Sequence, residues 1–445
     1  MIGCSSLPPA YHATHQHPAG QSSSIRVESA HGPLSTQQTK QVLASLKKAG
    51  PETNIFTRHL AAEEDIVGSP LMTGNKVTLL LDGPSTYKSM FAAIKGAKKN
   101  INMETYNIED DEVGRRFAAA LAEKQKSGVQ VNLIYDSIGS LDTPKDFFKP
   151  LVDSGAHVLE FNPINPIMLR KEWEAGRDHR KLLVVDGQIA FVGGVNISSV
   201  YSSGSLTSKP RGKKDAQPWR DTQIRIEGPV VSEFQKFFLT TWKNQKGEPL
   251  ASTAFFPRIS SKGNEVVRAI STKPIDHYSP IYVTLISAIN NAETYVYITN
   301  AYFVPDPQLL CALENAARRQ VDVRLLLPSK TDSNLVFYAS RSYYDELLSA
   351  GVKIYERQDA LLHAKTAVID GVWSTIGSTN LDWLSIEHNQ EINAVILGQD
   401  FGSQMKVMFE KDMSASRRVT LDEWRKRSIG PRIKEFAARL LSPWI

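Results

Sequence analysis

Two histidines, two lysines and two aspartates recur in one fixed order along this chain: His179-Arg180-Lys181 with Asp186, and His363-Ala364-Lys365 with Asp370. Each set runs into a Gly-rich turn ending in Asn, Gly193-Gly194-Val195-Asn196 in the first copy and Gly377-Ser378-Thr379-Asn380 in the second. The offset is 184 throughout (363 − 179, 365 − 181, 370 − 186, 380 − 196), the mark of a duplicated unit. Gathered in one pocket, the set suits a phosphodiester. One imidazole can attack phosphorus to give a phosphohistidine; the other can protonate the leaving alcohol and then deprotonate the incoming water or alcohol. Lys181 and Lys365 can hold the phosphate oxygens. Asn196, Asn380, Ser378 and the backbone N–H groups of the Gly-rich turns, Gly194 among them, can add hydrogen bonds as charge builds. The protein thus supplies its own cations, so no metal or other cofactor is expected, and no carboxylate cluster suggests one.

The apolar residues between Lys and Asp predict a buried strand in each copy, on which residues two apart share a face. His and Lys therefore project together. The Asp lies an odd number of positions after the His and precedes Gly, a strong hairpin signal. Asp186 and Asp370 belong to the recurring catalytic set but read as mainly structural. A nucleophilic His also needs an acceptor on its other ring nitrogen. Spacing along the chain suggests Asp221, in Trp219-Arg220-Asp221, for His179, and Glu391, in Asn389-Gln390-Glu391, for His363.

The elements that must position these groups also repeat. A helical stretch over 87–99 leads into a strand over 101–106, matched by 281–291 and 295–300. The strands over 129–136 and 158–161 are echoed by 321–328 and 352–355. Strands alternating with helices at this spacing predict a mostly parallel sheet covered by helices. The expected fold is α/β: two homologous halves packed about a pseudo-twofold axis with one shared active site. Their bounds are 41–250 and 251–445, after a tail over 1–40. The first copy carries two extra loops, an apolar one over 162–169 and a basic one over 208–214, candidates for a rim that meets acyl chains and anionic head groups.

With 41% hydrophobic and 22% charged residues the chain has ample means to bury a core. Residues 1–40 are rich in Ser, Pro, His and Gln with no apolar period, and are expected to be disordered; His12, His15 and His17 read as incidental there. Two cysteines, Cys4 and Cys311, cannot form a disulfide framework, and Cys311 reads as a small core residue. No stretch approaches a membrane-spanning length. The start, Met1-Ile2-Gly3-Cys4-Ser5-Ser6, resembles the lipobox of a bacterial lipoprotein, so attachment is expected to be peripheral or through a lipidated Cys4, with the periplasmic face favoured in the second case. The net charge of +5 fits an anionic substrate or membrane surface.

The paired motifs resemble the double HxKx4D signature of the phospholipase D superfamily, from about residue 77 to the C-terminus. Within it the chain looks most like the bacterial cardiolipin synthases, on Trp219-Arg220-Asp221-Thr222 with Glu227-Gly228-Pro229-Val230, on the stretch from Leu347 to Glu356, and on Gly377-Ser378-Thr379-Asn380-Leu381-Asp382. That resemblance implies a metal-independent phosphatidyl transfer through phosphohistidine, joining phosphatidylglycerol to a second lipid alcohol. It also implies His179 as nucleophile and His363 as acid and base. Leu384 departs from the pattern, standing where relatives often carry Arg.

Phosphatidyl transfer from an anionic glycerophospholipid at a membrane surface is therefore the leading expectation. A hydrolase releasing phosphatidic acid would use the same residues. A nuclease is disfavoured, because both motifs lie on one chain and no basic stripe interleaves with aromatics. A non-catalytic lipid-binding role is opposed by intact His and Lys in both copies. The sequence names no protein partner.

Overall fold

A computed structural model describes residues 25–164, 176–202, 218–251, 255–274 and 279–442. The first half forms a sheet in the order His157–Phe161, Gln130–Asp136, Asn100–Thr105, Lys181–Val185, Ile189–Gly193, Gln223–Glu227 and Leu71–Leu80. The second half repeats that order with Lys353–Arg357, Asp322–Pro328, Tyr295–Thr299, Thr366–Ile369, Trp373–Gly377, Ile392–Leu397 and Glu265–Ser271. The last strand of each series pairs with its counterpart, Leu71–Leu80 antiparallel to Glu265–Ser271, so the halves meet across a pseudo-twofold axis.

The sheet is mixed, which corrects the expectation of a mostly parallel one. Only the outer three strands of each series run parallel; the motif strands are antiparallel to their neighbours on both sides. The cause is local. Asp186 (φ 53°) and Gly187 (φ 63°) occupy the two central positions of a tight turn closed by Gln188 N–H to Val185 O at 3.0 Å, and Asp370 (φ 51°) and Gly371 (φ 68°) do the same. Two left-handed central residues make the turn that matches strand twist, so each motif strand enters the hairpin its Asp-Gly pair signals, and these hairpins are what make the sheet mixed.

Helices start where short polar side chains cap them. Asp111 accepts from Gly114 N–H to open Glu112–Lys126, and Asp306 accepts from Leu309 N–H to open Pro307–Arg318 in the second half. Val113, Phe117, Ala118 and Leu121 then fall on one face and are buried. A core shared by the halves packs Leu182, Val192, Ile224 and Phe234 with Val368, Ile376 and Ala394. Each such side chain contributes about 1.5–3 kcal/mol of burial, which holds the two motif hairpins in fixed register.

Two expectations need correction. Residues 25–40 of the tail predicted over 1–40 carry regular structure: Val27–Ser29 pairs in parallel with the start of Leu71–Leu80, Val27 is buried, and a helix starts at Thr36 behind a Ser35 capping box. A two-residue pairing and one buried valine are too short to register as an apolar period. Cys311 is exposed, because the helical phase that buries Leu309, Ala312 and Leu313 turns it outward. Cys4 and the three N-terminal histidines lie outside the described residues, as do the loop over 208–214 and most of the loop over 162–169.

Candidate active site

Each motif histidine is anchored by the backbone of the other half. His179 N–H donates to Gln390 O at 3.0 Å, and His363 N–H donates to Arg220 O at 2.8 Å. Trp219–Arg220 runs parallel to Leu361–Leu362, just before His363. The acid that follows each anchor therefore meets the histidine across the axis: Glu391 Oε1 lies 2.9 Å from His179 Nδ1, and Asp221 Oδ2 lies 2.7 Å from His363 Nδ1. This crosses the pairing that spacing suggested. The reason is that the acid-bearing stretch leaves its own half to pair with the other, which intervals within one half cannot show. With a carboxylate accepting at Nδ1, the proton sits there and Nε2 keeps its lone pair for chemistry.

Both acids are fully buried and individually held. Glu391 Oε2 accepts a short hydrogen bond from Ser378 Oγ. Asp221 Oδ1 accepts from Thr222 N–H at 2.7 Å and packs on Gly194, where an added Cβ would stand 2.3 Å from that oxygen. Gly194 and Ser378 are equivalent positions, so one copy makes room for its acid while the other donates to it. Neither serves the phosphate as expected: their N–H groups are spent on Thr222 O (3.1 Å) and Ile392 O (3.0 Å), because strand pairing continues through both turns. Arg180 braces Glu391, its Nε donating to Glu391 O at 3.3 Å and its Nη1 to Thr241 Oγ1 at 2.6 Å. Arg220 braces Asp221 and is itself tied to Asp412, Nη2 to Oδ2, at 2.7 Å.

Lys181 and Lys365 are buried beside these pairs, each ammonium donating to the carbonyl of its own histidine, with Lys181 Nζ 5.0 Å above the Tyr106 ring. Burial pulls the Lys181 ammonium down to about 7 and that of Lys365 to about 8. Burial likewise lowers His179, against the opposing pull of Glu391, and lowers His363 well below the ordinary imidazole range, with both lysines adding to the effect. Asp221 is pushed up to about 6 by burial, with Lys365 opposing. Desolvation is the leading cause at each of these groups; Glu391 and Asp221 oppose it at both lysines.

A cavity of about 440 Å³ opens onto His179 and His363 and is lined also by Asn196 and Asn380. Asn196 Nδ2 donates to Tyr201 OH at 3.2 Å, while Asn380 Oδ1 is buried without a hydrogen-bond partner among the described residues. Asp186 and Asp370 do not line it. Asp186 accepts from the N–H groups of Lys98, Lys99 and Asn100, and Asp370 from those of Glu293, Thr294 and Tyr295, in keeping with the structural reading.

Sequence reasoning missed the aromatic wall. Tyr106 stands edge-on to His179 with ring centroids 5.0 Å apart, Trp219 lies 5.0 Å from His363, and Tyr201 and Tyr302 complete the enclosure. It also missed Asp382, a cavity-lining carboxyl pushed up to about 7 by burial. Tyr106 and Tyr302 follow equivalent strands in the two halves, Asn100–Thr105 and Tyr295–Thr299, the one signal that could have flagged them. Leu384 lines the cavity, and of the apolar loop Ile164 does too.

Fold and site together define a phospholipase D-type enzyme, with one active centre built from a duplicated half. The family described as cardiolipin synthase, PLD-like domain, matches residues 90–204 and 285–413, and the chain belongs to it. It is 34% identical over 376 residues to a cardiolipin synthase of Geobacillus kaustophilus (strain HTA426), covering 84% of this chain and 73% of that one. It is 35% identical over 374 residues to the major cardiolipin synthase ClsA of Bacillus subtilis (strain 168), covering 83% and 75%. Among solved structures, a phosphatidylserine synthase of Haemophilus influenzae Rd KW20 shares the fold, with a TM-score of 0.63 at 13% identity over 87% of this chain and 100% of that one.

Proposed function

We propose that this protein is a phosphatidyltransferase of the cardiolipin synthase type, moving a phosphatidyl group from phosphatidylglycerol to a lipid alcohol. The observation that carries the reading is the pair of crossed histidine–carboxylate contacts, at 2.9 and 2.7 Å, facing one cavity. In the first step His179 Nε2 attacks phosphorus, the bond to the leaving glycerol oxygen breaks, and that oxygen takes the Nε2 proton of His363, which enters the step as the imidazolium paired with Asp221. In the second, His363 accepts the proton of the acceptor hydroxyl, whose oxygen attacks phosphorus as the P–N bond breaks and His179 is released. Lys181 and Lys365 offset the phosphate charge, and Asn196 and Asn380 supply hydrogen bonds at the same mouth. Glu391 and Asp221 act through the histidines, fixing tautomer and stabilising each imidazolium as it forms. The aromatic wall favours an alcohol acceptor over bulk water.

Purified protein incubated with phosphatidylglycerol vesicles in EDTA, beside a His179→Ala control, tests this by lipid mass spectrometry. Cardiolipin plus glycerol, absent from the control, is the expected result. Phosphatidic acid alone would make the enzyme a hydrolase, and no turnover would remove the lipid reading.

A further inference from the structure

The helix Ile429–Leu440 sits on the protein the wrong way round for a soluble surface. Ile429, Ile433, Phe436 and Leu440 follow i, i+4, i+7, i+11 spacing and share one face, yet they are 71%, 62%, 66% and 66% exposed. The side turned inward carries Glu435 and Ala438, and Glu435 is clamped by Arg427 at 2.5 and 2.9 Å. An apolar stripe of this length facing away from the core marks a contact surface.

Charge says what that surface meets. Residues 417–440 hold eight Arg or Lys against three Asp or Glu, an excess equal to the formal net charge of +5 for the whole chain. The rest of the chain is therefore balanced; in the fold Arg425, Arg427 and Arg439 are paired with Asp345, Glu435 and Glu346, which leaves Arg432 and Lys434 as the helix's cations without an ion pair among the described residues. Arg432 and Lys434 lie on the helix itself, Lys434 with its ammonium 5.3 Å above the Tyr338 ring. Apolar residues on one face with cations beside them are the composition of a helix lying in the plane of an anionic bilayer.

Position relates the stripe to the cavity. The helix packs along Asn334–Arg341, which starts two residues after Asp332, a cavity-lining residue bonded to Tyr302 OH. Leu335 on that second helix is 37% exposed. Among the described residues no helix is long and apolar enough to cross a membrane, so contact made here is interfacial.

We propose that Ile429–Leu440 docks on an anionic phospholipid bilayer, with Ile429, Ile433, Phe436 and Leu440 entering the acyl boundary and Arg432 and Lys434 meeting head groups. The choice of a lipid surface rests on the lipid-substrate reading above. The test is co-sedimentation of the full chain with phosphatidylglycerol–phosphatidylcholine vesicles and with phosphatidylcholine vesicles alone. The wild type should bind the anionic vesicles in a salt-sensitive manner. Ile433→Ser/Phe436→Ser should weaken binding at least tenfold, Arg432→Gln/Lys434→Gln should remove the preference for the anionic lipid, and Ile433→Leu/Phe436→Leu should bind as wild type. Turnover of detergent-dispersed substrate should not change in the serine variant, which also reports that it is folded. Binding of the serine variant equal to wild type would overturn the proposal. So would a wild-type dimer, seen by light scattering, that this variant splits without loss of vesicle binding, since a second copy would then cover the stripe. His179→Ala binds vesicles under this proposal whether or not the wild type turns lipid over, so failure of the functional reading registers separately.

Discussion

Glu391 holds Nδ1 of His179 at 2.9 Å although the two residues stand 212 positions apart and in different halves. Its counterpart, Asp221 on His363, spans the axis in the opposite direction. One duplication therefore yields two histidines that each depend on the other copy, so neither half contains a finished catalytic group.

Crossed dependence has a kinetic signature. Glu391→Gln should lower kcat by roughly 10⁴, the scale seen when a histidine loses the acid that fixes its tautomer. His179→Ala added to Glu391→Gln should cost little more, because the pair acts as a unit. Asp221→Asn should behave in the same way with His363→Ala. A double-mutant cycle in kcat that instead couples His179 with Asp221 would refute the crossed assignment.

The pH profile should peak on the acid side of neutrality. His179 must be neutral to attack, and its lowered pKa keeps it so to below the ordinary imidazole value, which sets the acid limb. His363 must be protonated to donate and Lys181 and Lys365 charged to hold phosphate; His363 loses its proton first, its pKa lowered well below the ordinary imidazole value, and the lysines follow near 7 and 8, which together set the alkaline limb. A profile of kcat/KM that keeps rising beyond pH 9 would show that the lysines stay charged there and that the alkaline limb is misassigned.

Gly194 should tolerate no side chain. A Cβ there meets Asp221 Oδ1 at 2.3 Å, so Gly194→Ala must displace the carboxylate from His363. The expected loss in kcat approaches that of Asp221→Asn. Ser378→Ala, which removes only the hydroxyl donor to Glu391, should cost about 1–2 kcal/mol of transition-state stabilisation. Measured side by side, equal losses at the two equivalent positions would contradict this asymmetry.

The motif aspartates should register in stability before activity. Asp186 accepts from three backbone N–H groups, and Asp186→Ala should cost about 3 kcal/mol by leaving them without an acceptor. Denaturant midpoints would measure this, and the fraction that remains folded should keep a kcat within a few-fold of wild type. A loss of kcat comparable with that of His179→Ala, at unchanged midpoint, would place Asp186 in the chemistry.

The chain's local patterns determined a great deal. Continuous apolar runs marked the motif strands and Asp-Gly pairs their turns, because each of these signals is carried by residues close together in sequence, and the constant offset marked the duplication. The same signals put His179, Lys181, His363 and Lys365 at one site through the symmetry of a repeat. Tertiary structure alone decided which acid serves which histidine, since spacing within one half is silent about what crosses the axis. It turned Gly194 and Ser378 from expected phosphate donors into supports for Asp221 and Glu391, because strand pairing had already taken their N–H groups. It also assembled Tyr106, Tyr201, Trp219 and Tyr302 from four separate stretches into one wall. Burial between distant elements is what lowers the pKa values of Lys181 and Lys365, and burial is a property of the folded whole.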